Sequence, residues 1–187
     1  MTTRTNGTFK NLVATVYQDW NVGGLAIRTA GSSDPTLKVW GTVYRLWAFS
    51  PTVLNQAFFT QELFHEWKPG TTVYPHIHWL QDAPGTGDVR WQLDWRYVKV
   101  NQVSSGTSTL DLTSAAGGSV DQHNVFQNVN GIYLSDFDVG GQIICRLYRD
   151  AANVADTFAG DALLLAFGFH FETDREGTST MFGPYDT

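Results

Sequence analysis

The chain has 187 residues, with 12 Lys and Arg against 18 Asp and Glu for a formal net charge of −6; it is 42% hydrophobic and 14% aromatic but only 16% charged. That length suits one domain with a continuous core, the aromatic content excludes a disordered chain, and one cysteine, Cys145, excludes an internal disulfide framework or a cysteine-based zinc cluster. Dispersed basic residues under net negative charge argue against nucleic acid as a partner, and the longest apolar run, Ala162 to Phe169, is too short to span a membrane.

Only 4 Glu and 4 Lys stand against 14 Asp and 21 Thr. Glu and Lys suit helices, whereas Asp favours turns and Thr favours strands, so the composition predicts an all-β chain. The opening residues, Met1 to Gly7, are polar. They lack the apolar stretch of a signal peptide, which predicts folding in a cytoplasm, and they could extend onto a neighbouring copy as an arm. Residues 1–30 read as this arm with the first strand or strands, Phe9–Tyr17 among them, and 31–187 as a single β-sandwich domain. Val39–Ser50 reads as one strand, apolar on both faces. Ser50-Pro51 could open a helix, but Phe58-Phe59-Thr60 favours a strand over Ala57–Phe64.

Thr72–Gln81 follows the turn Lys68-Pro69-Gly70 and is closed by Ala83-Pro84-Gly85-Thr86-Gly87. From Val89 to Val100, Val89, Trp91, Leu93, Trp95 and Tyr97 alternate with Arg90, Gln92, Asp94 and Arg96, the period of a half-buried strand. Ser104–Ser119 reads as a long loop with a helical turn near Leu110. His123–Asn128, Gln142–Asp150 and Ala162–Thr173 complete the set. Eight to nine antiparallel strands predict an all-β antiparallel β-sandwich or jelly roll.

Metal chemistry has one candidate stretch, Tyr74-Pro75-His76-Ile77-His78-Trp79. Two residues apart on a strand, His76 and His78 share a face at a Cα separation of about 6–7 Å, close enough to share one ion. A third ligand would have to come from Asp82, His123, His170 or Glu172. The segment resembles the first metal motif of the cupins: Gly70, five residues, His76, His78, three residues, then Asp82 where that family has glutamate. Val89 stands at its closing glycine, and His170 lacks the second motif's Pro-x-Gly and asparagine, Asp174 taking the latter's place. The cupin reading implies a metal-dependent enzyme using His76 and His78. The plainer reading makes both histidines strand residues hydrogen-bonded across a sheet.

Other chemistry is weaker. No Gly-x-Ser-x-Gly elbow presents a serine and no glycine-rich loop opens a helix at a phosphate. Cys145 alternates with apolar neighbours as a buried thiol does. Asp150, Asp156 and Asp161 could ligate Ca²⁺, but their spacing is not that of an EF-hand, and turn-forming aspartates with Arg149 as a partner explain them. Trp91 and Trp95 could stack sugar rings, though their alternation is that of core packing. No catalytic residue and no cofactor are expected.

Two segments carry a further resemblance. Glu62-Leu63-Phe64-His65-Glu66-Trp67-Lys68-Pro69-Gly70 leads into Pro75-His76-Ile77-His78-Trp79. Arg146-Leu147-Tyr148-Arg149-Asp150 is followed by Asp156-Thr157-Phe158-Ala159-Gly160-Asp161-Ala162 and Phe169-His170-Phe171-Glu172-Thr173-Asp174. Together, over about residues 40 to 178, they resemble a group of small β-rich virion proteins of tailed bacteriophages. The resemblance implies a jelly-roll trimer on the particle, as a capsid decoration protein or a fibre or collar component. Its partners would be its own copies and virion proteins such as the major capsid protein, with no nucleic acid and no membrane. The protein would be made in the host cytoplasm and reside in the virion. Seven Trp exceed the ordinary need of such a core, which suggests that some lie between subunits. A jelly-roll module that binds glycans through exposed aromatics is the remaining alternative.

Overall fold

A computed structural model describes residues 16–63, 65–133, 138–174, 177 and 183–184. The expected arm, most of the first expected strand and Phe64 lie outside them. Fifteen strands run through the described residues: β1 (Val16–Gly23), β2 (Thr36–Trp40), β3 (Tyr44–Phe49), β4 (Asn55–Glu62), β5 (Thr72–Gln81), β6 (Gly85–Val89), β7 (Trp91–Val98), β8 (Ser108–Asp111), β9 (Ser114–Gly118), β10 (His123–Gln127), β11 (Ile132–Tyr133), β12 (Asp138–Val139), β13 (Gln142–Arg149), β14 (Ala162–Thr173) and β15 (Gly183–Pro184). The one helical piece described is a 3₁₀ turn at Gly24–Ala26.

The fold is an antiparallel β-sandwich of the jelly-roll class. Its larger sheet has seven strands in the order β10-β5-β14-β3-β2, with β1 also beside β14 and β11 beside β5. The smaller has four, β4-β13-β7-β8, and β6-β9 and β12-β15 form two-stranded ribbons. Period-two alternation decides what meets between the layers. Val73, Ile77 and Trp79 of β5 and Phe167, Phe169 and Phe171 of β14 share one core with Ala57 and Phe59 of β4, Trp91 and Leu93 of β7, and Ile143, Cys145 and Leu147 of β13. Phe59 meets Phe167 across the layers with ring centroids 4.7 Å apart, and Phe49 meets Trp91 at 4.8 Å. Each fully buried large side chain contributes roughly 1.5–3 kcal/mol.

Three expectations need correction. Val39–Ser50 is a hairpin, β2 and β3, turning at Gly41, whose φ of +62° favours glycine. Ser104–Ser119 holds β8 and β9, with Leu110 in a strand, because β8 extends the ladder of β7 and β9 pairs β6. The strand count exceeds nine for these reasons, because three two-residue strands carry no readable period, and because β6 begins inside the expected turn Ala83–Gly87, where it pairs β9. No helix forms after Ser50-Pro51, and β4 occupies the preferred strand.

The tryptophan surplus is also absorbed. Trp67, Trp79 and Trp91 are fully buried, Trp20, Trp47 and Trp95 pack against the main core, and Trp40 packs on a second cluster of Ala48, Leu80 and Leu163. That second cluster lies on the outer face of the large sheet. Trp91 and Trp95 therefore serve the core, as their alternation indicated.

Candidate functional site

The outer face of the large sheet gathers four of the five histidines. Because Ile77 and Trp79 point into the core, His76 and His78 must point out of the sandwich. Strand pairing sets their neighbours: His76 lies opposite Gly168 of β14 and Gln127 of β10, and His78 opposite Ala166 and Val125. On β1, Asp19 lies opposite His170 and Asn21 opposite Gly168.

A β-bulge brings His170 to this face. Ala162 and Leu164 point into the core, so strict alternation would send His170 inward as well. The register of β14 against β5 shifts between Leu164 and Ala166, after which Phe167, Phe169 and Phe171 point in and His170 points out. Gly168 then leaves the space that His76 fills, since a Cβ there would lie 2.7 Å from the His76 ring, 2.4 Å from Asn21 Oδ1 and 2.4 Å from the Trp20 carbonyl oxygen.

The cluster is closely packed. The rings of His76 and His170 stack with centroids 4.1 Å apart. His76 Nε2 is 3.4 Å from one oxygen of Asp19 and His170 Nε2 is 3.7 Å from the other. Asn21 donates its amide N–H to Asp19 at 2.7 Å, which turns its carbonyl oxygen towards His76 Nε2 at 3.0 Å. That ring nitrogen is then the donor. His76 is fully buried, and its Nδ1 has no hydrogen-bond partner among the described residues. His170 Nδ1 donates to Gln127 Oε1 at 3.0 Å, which leaves its Nε2 with a lone pair on the Asp19 side. His78 Nδ1 and His123 Nε2 share a hydrogen bond of 2.9 Å.

Burial lowers the pKa of His76 to about 4, with His170 adding to the effect and Asp19 opposing it. Burial and then His123 hold His78 below its ordinary value. Both imidazoles are therefore neutral at pH 7, the form that can ligate a metal.

Among the expected third ligands, only His170 joins His76 at one point. Asp82 and Asp161 both hold Lys38, Glu172 pairs with Lys68 at 3.4 Å, and His123 is taken by His78. Asp19 was absent from the sequence reading. Asp19, His76 and His170 offer ligand atoms that all lie within 4.8 Å of one another. No sequence signal pointed to Asp19, which is fifty-seven residues before His76 and joins it only through the β1–β14 pairing.

The acidic turn after β13 has a different role. Asp156 and Arg149 are both buried and paired through two bonds, 2.7 and 2.9 Å, and Arg149 also donates to the carbonyls of Phe49, Phe158 and Gly160. Asp150 approaches Arg90 at 3.8 Å. Of the three aspartates only Asp156 has the expected Arg149 partner; Asp150 lies beside Arg90 and Asp161 holds Lys38. Cys145 is buried, and desolvation raises its thiol pKa well above the ordinary value, so it remains an unreactive thiol.

No protein-family model matches the chain, and no curated protein matches it. Among solved structures, it is similar to the CBM36-1 domain of a multidomain xylanase from the hindgut metagenome of Trinervitermes trinervoides. The match has 14% identity and a TM-score of 0.42, covering 81% of this chain and 96% of that one.

Proposed function

We propose that this chain is a non-enzymatic structural subunit that works in multiple copies, specifically a trimeric decoration protein on the head of a tailed-phage virion. The observation that carries the reading is an uncovered strip of core-facing sheet. Leu37 and Val39 of β2 lie opposite Trp47 and Arg45 of β3 and share the parity of Trp47, which packs on the core. Yet Leu37 is 40% exposed and Val39 48%, and Val43 at the hairpin tip reaches 73%. β2 is also the last strand of its sheet among the described residues, so its outer backbone groups are open at the edge beside this strip. The edge carries one lysine, Lys38, but it points to the other face, where Asp82 and Asp161 engage it. Leu37 and Val39 are left exposed beside Arg45 as a strip that another copy would bury.

The chemistry within the two resembling segments supports the same conclusion. Trp67 forms an isolated bridge with Thr173 and is fully buried, Lys68 pairs with Glu172, and β5 pairs β14. Arg149 and Asp156 tie down the loop that leads to β14. Trp67, Lys68, Arg149, Asp156 and Glu172, which lie in those segments, are thus occupied in holding the fold.

Adding purified protein to undecorated phage heads and imaging them tests the specific role. Saturable density at symmetry-related capsid positions is the expected result. Heads that stay bare, with binding to tails or collars instead, would overturn the decoration role, and binding only to a glycan array would favour a carbohydrate-binding module.

A further inference from the structure

The geometry points to a binding site for one divalent transition-metal ion of the zinc class, formed by Asp19, His76 and His170 on the outer face of the large sheet. Each ligand comes from a different strand, β1, β5 and β14, and these are neighbours in one ladder. Two ligands held about 2.0–2.1 Å from a tetrahedral ion are about 3.4 Å apart. His76 Nε2 is 3.4 Å from one Asp19 oxygen and His170 Nε2 is 3.7 Å from the other. Binding one ion therefore requires the carboxylate to close on both and the two rings, now stacked with centroids 4.1 Å apart, to turn until their in-plane lone pairs converge. Asp19 can move towards the rings, since among the described residues its strand pairs only with β14 and its side chain is 41% exposed.

Two imidazoles and one carboxylate form a donor set suited to Zn²⁺ or Co²⁺, whereas Ca²⁺ and Mg²⁺ prefer all-oxygen shells. The supporting contacts also fit. Gln127 fixes the His170 tautomer that leaves Nε2 free, the outer-shell arrangement that metal-ligating histidines use. For His76 the ring proton must move from Nε2 to Nδ1, the buried atom without a hydrogen-bond partner among the described residues. Asn21 would give up its contact with His76 Nε2 while keeping its bond to Asp19. His78 and His123 stay outside the site, because each satisfies the other. This assignment differs from a His76–His78 pair sharing the ion. Its consequence is structural, since one ion would join the edge strand β1 to the two central strands.

The test uses the full chain stripped with a chelator, titrated with Zn²⁺ by calorimetry and with Co²⁺ by visible absorption. The expected result is one ion per chain, a tetrahedral cobalt spectrum and a higher unfolding temperature with Zn²⁺. Asp19→Ala and His170→Ala should each weaken binding at least tenfold and abolish the thermal shift, while His78→Ala should bind as the parent does. Circular dichroism checks that the variants fold, and Asp19→Asn carries the comparison should His170→Ala fail to fold. Uptake of less than a tenth of an equivalent by the parent chain would overturn the proposal. So would unweakened binding in the folded Asp19 variants, or loss of binding in a folded His78→Ala.

Discussion

Arg149 is the buried cation around which the turn after β13 is built. Its guanidinium is fully buried, with Asp156 on one side and three backbone carbonyls on the other, so every bond it makes replaces one to water. Arg149→Met leaves the Asp156 carboxylate buried without its partner and should cost about 3–5 kcal/mol, read by urea unfolding. Arg149→Lys should recover little, since an ammonium cannot reproduce the planar two-bond contact. His76 makes the metal-free protein sensitive to acid. Its pKa falls from 6.5 to about 4 in the folded chain, so between those values the unfolded chain holds a proton that the folded chain rejects. Stability should therefore be full above about pH 6.5, decline as pH falls and level off near 4. Unfolding of chelator-treated protein across that range checks this, and His76→Gln should flatten the dependence. The Arg149–aspartate pairing was legible in sequence from the local Arg-Asp spacing. Asp19 was not, because only a long-range strand pairing brings it to the histidines.

At the scale of elements, β14 organises the molecule, pairing β5 on one side and β3 then β1 on the other. Its bounds and those of β5 match the sequence reading, since each is a long β-rich run closed by turn residues. The bulge after Leu164 was invisible, because Ala162 to Phe169 is apolar on both faces and shows no change of phase. Without that shift His170 would face the core and the histidine cluster would not exist. Likewise Val39–Ser50 concealed a hairpin, since the apolar residues around Gly41 mask the reversal. Gly168→Ala drives a methyl group against the Trp20 carbonyl and His76, and should cost about 1–3 kcal/mol by overpacking, seen as a lower unfolding temperature. Amide exchange should be slowest in β14, which is paired on both sides, and faster in the sheet-ending strands β2 and β10.

For the whole molecule, the aromatic richness divides differently from the expectation. Trp67, Trp79 and Trp91 are fully buried in the core, while Trp20, Trp40, Trp47 and Trp95 pack on an apolar cluster and stay partly exposed. The candidates for contacts between copies are Leu37, Val39 and Val43, aliphatic side chains at an open sheet edge and its hairpin tip. Composition made the all-β sandwich legible, but an uncovered edge is a property of how two sheets of unequal width overlap, which no local pattern records. The central claim is that this edge is buried by other copies of the chain. Mass photometry or light scattering of the purified protein at neutral pH tests it most directly. The account predicts a species of three times the 20.8 kDa chain mass, converted to folded monomer by the double change Leu37→Lys and Val39→Lys. A parent protein that stays at 20.8 kDa across the accessible concentration range would contradict it.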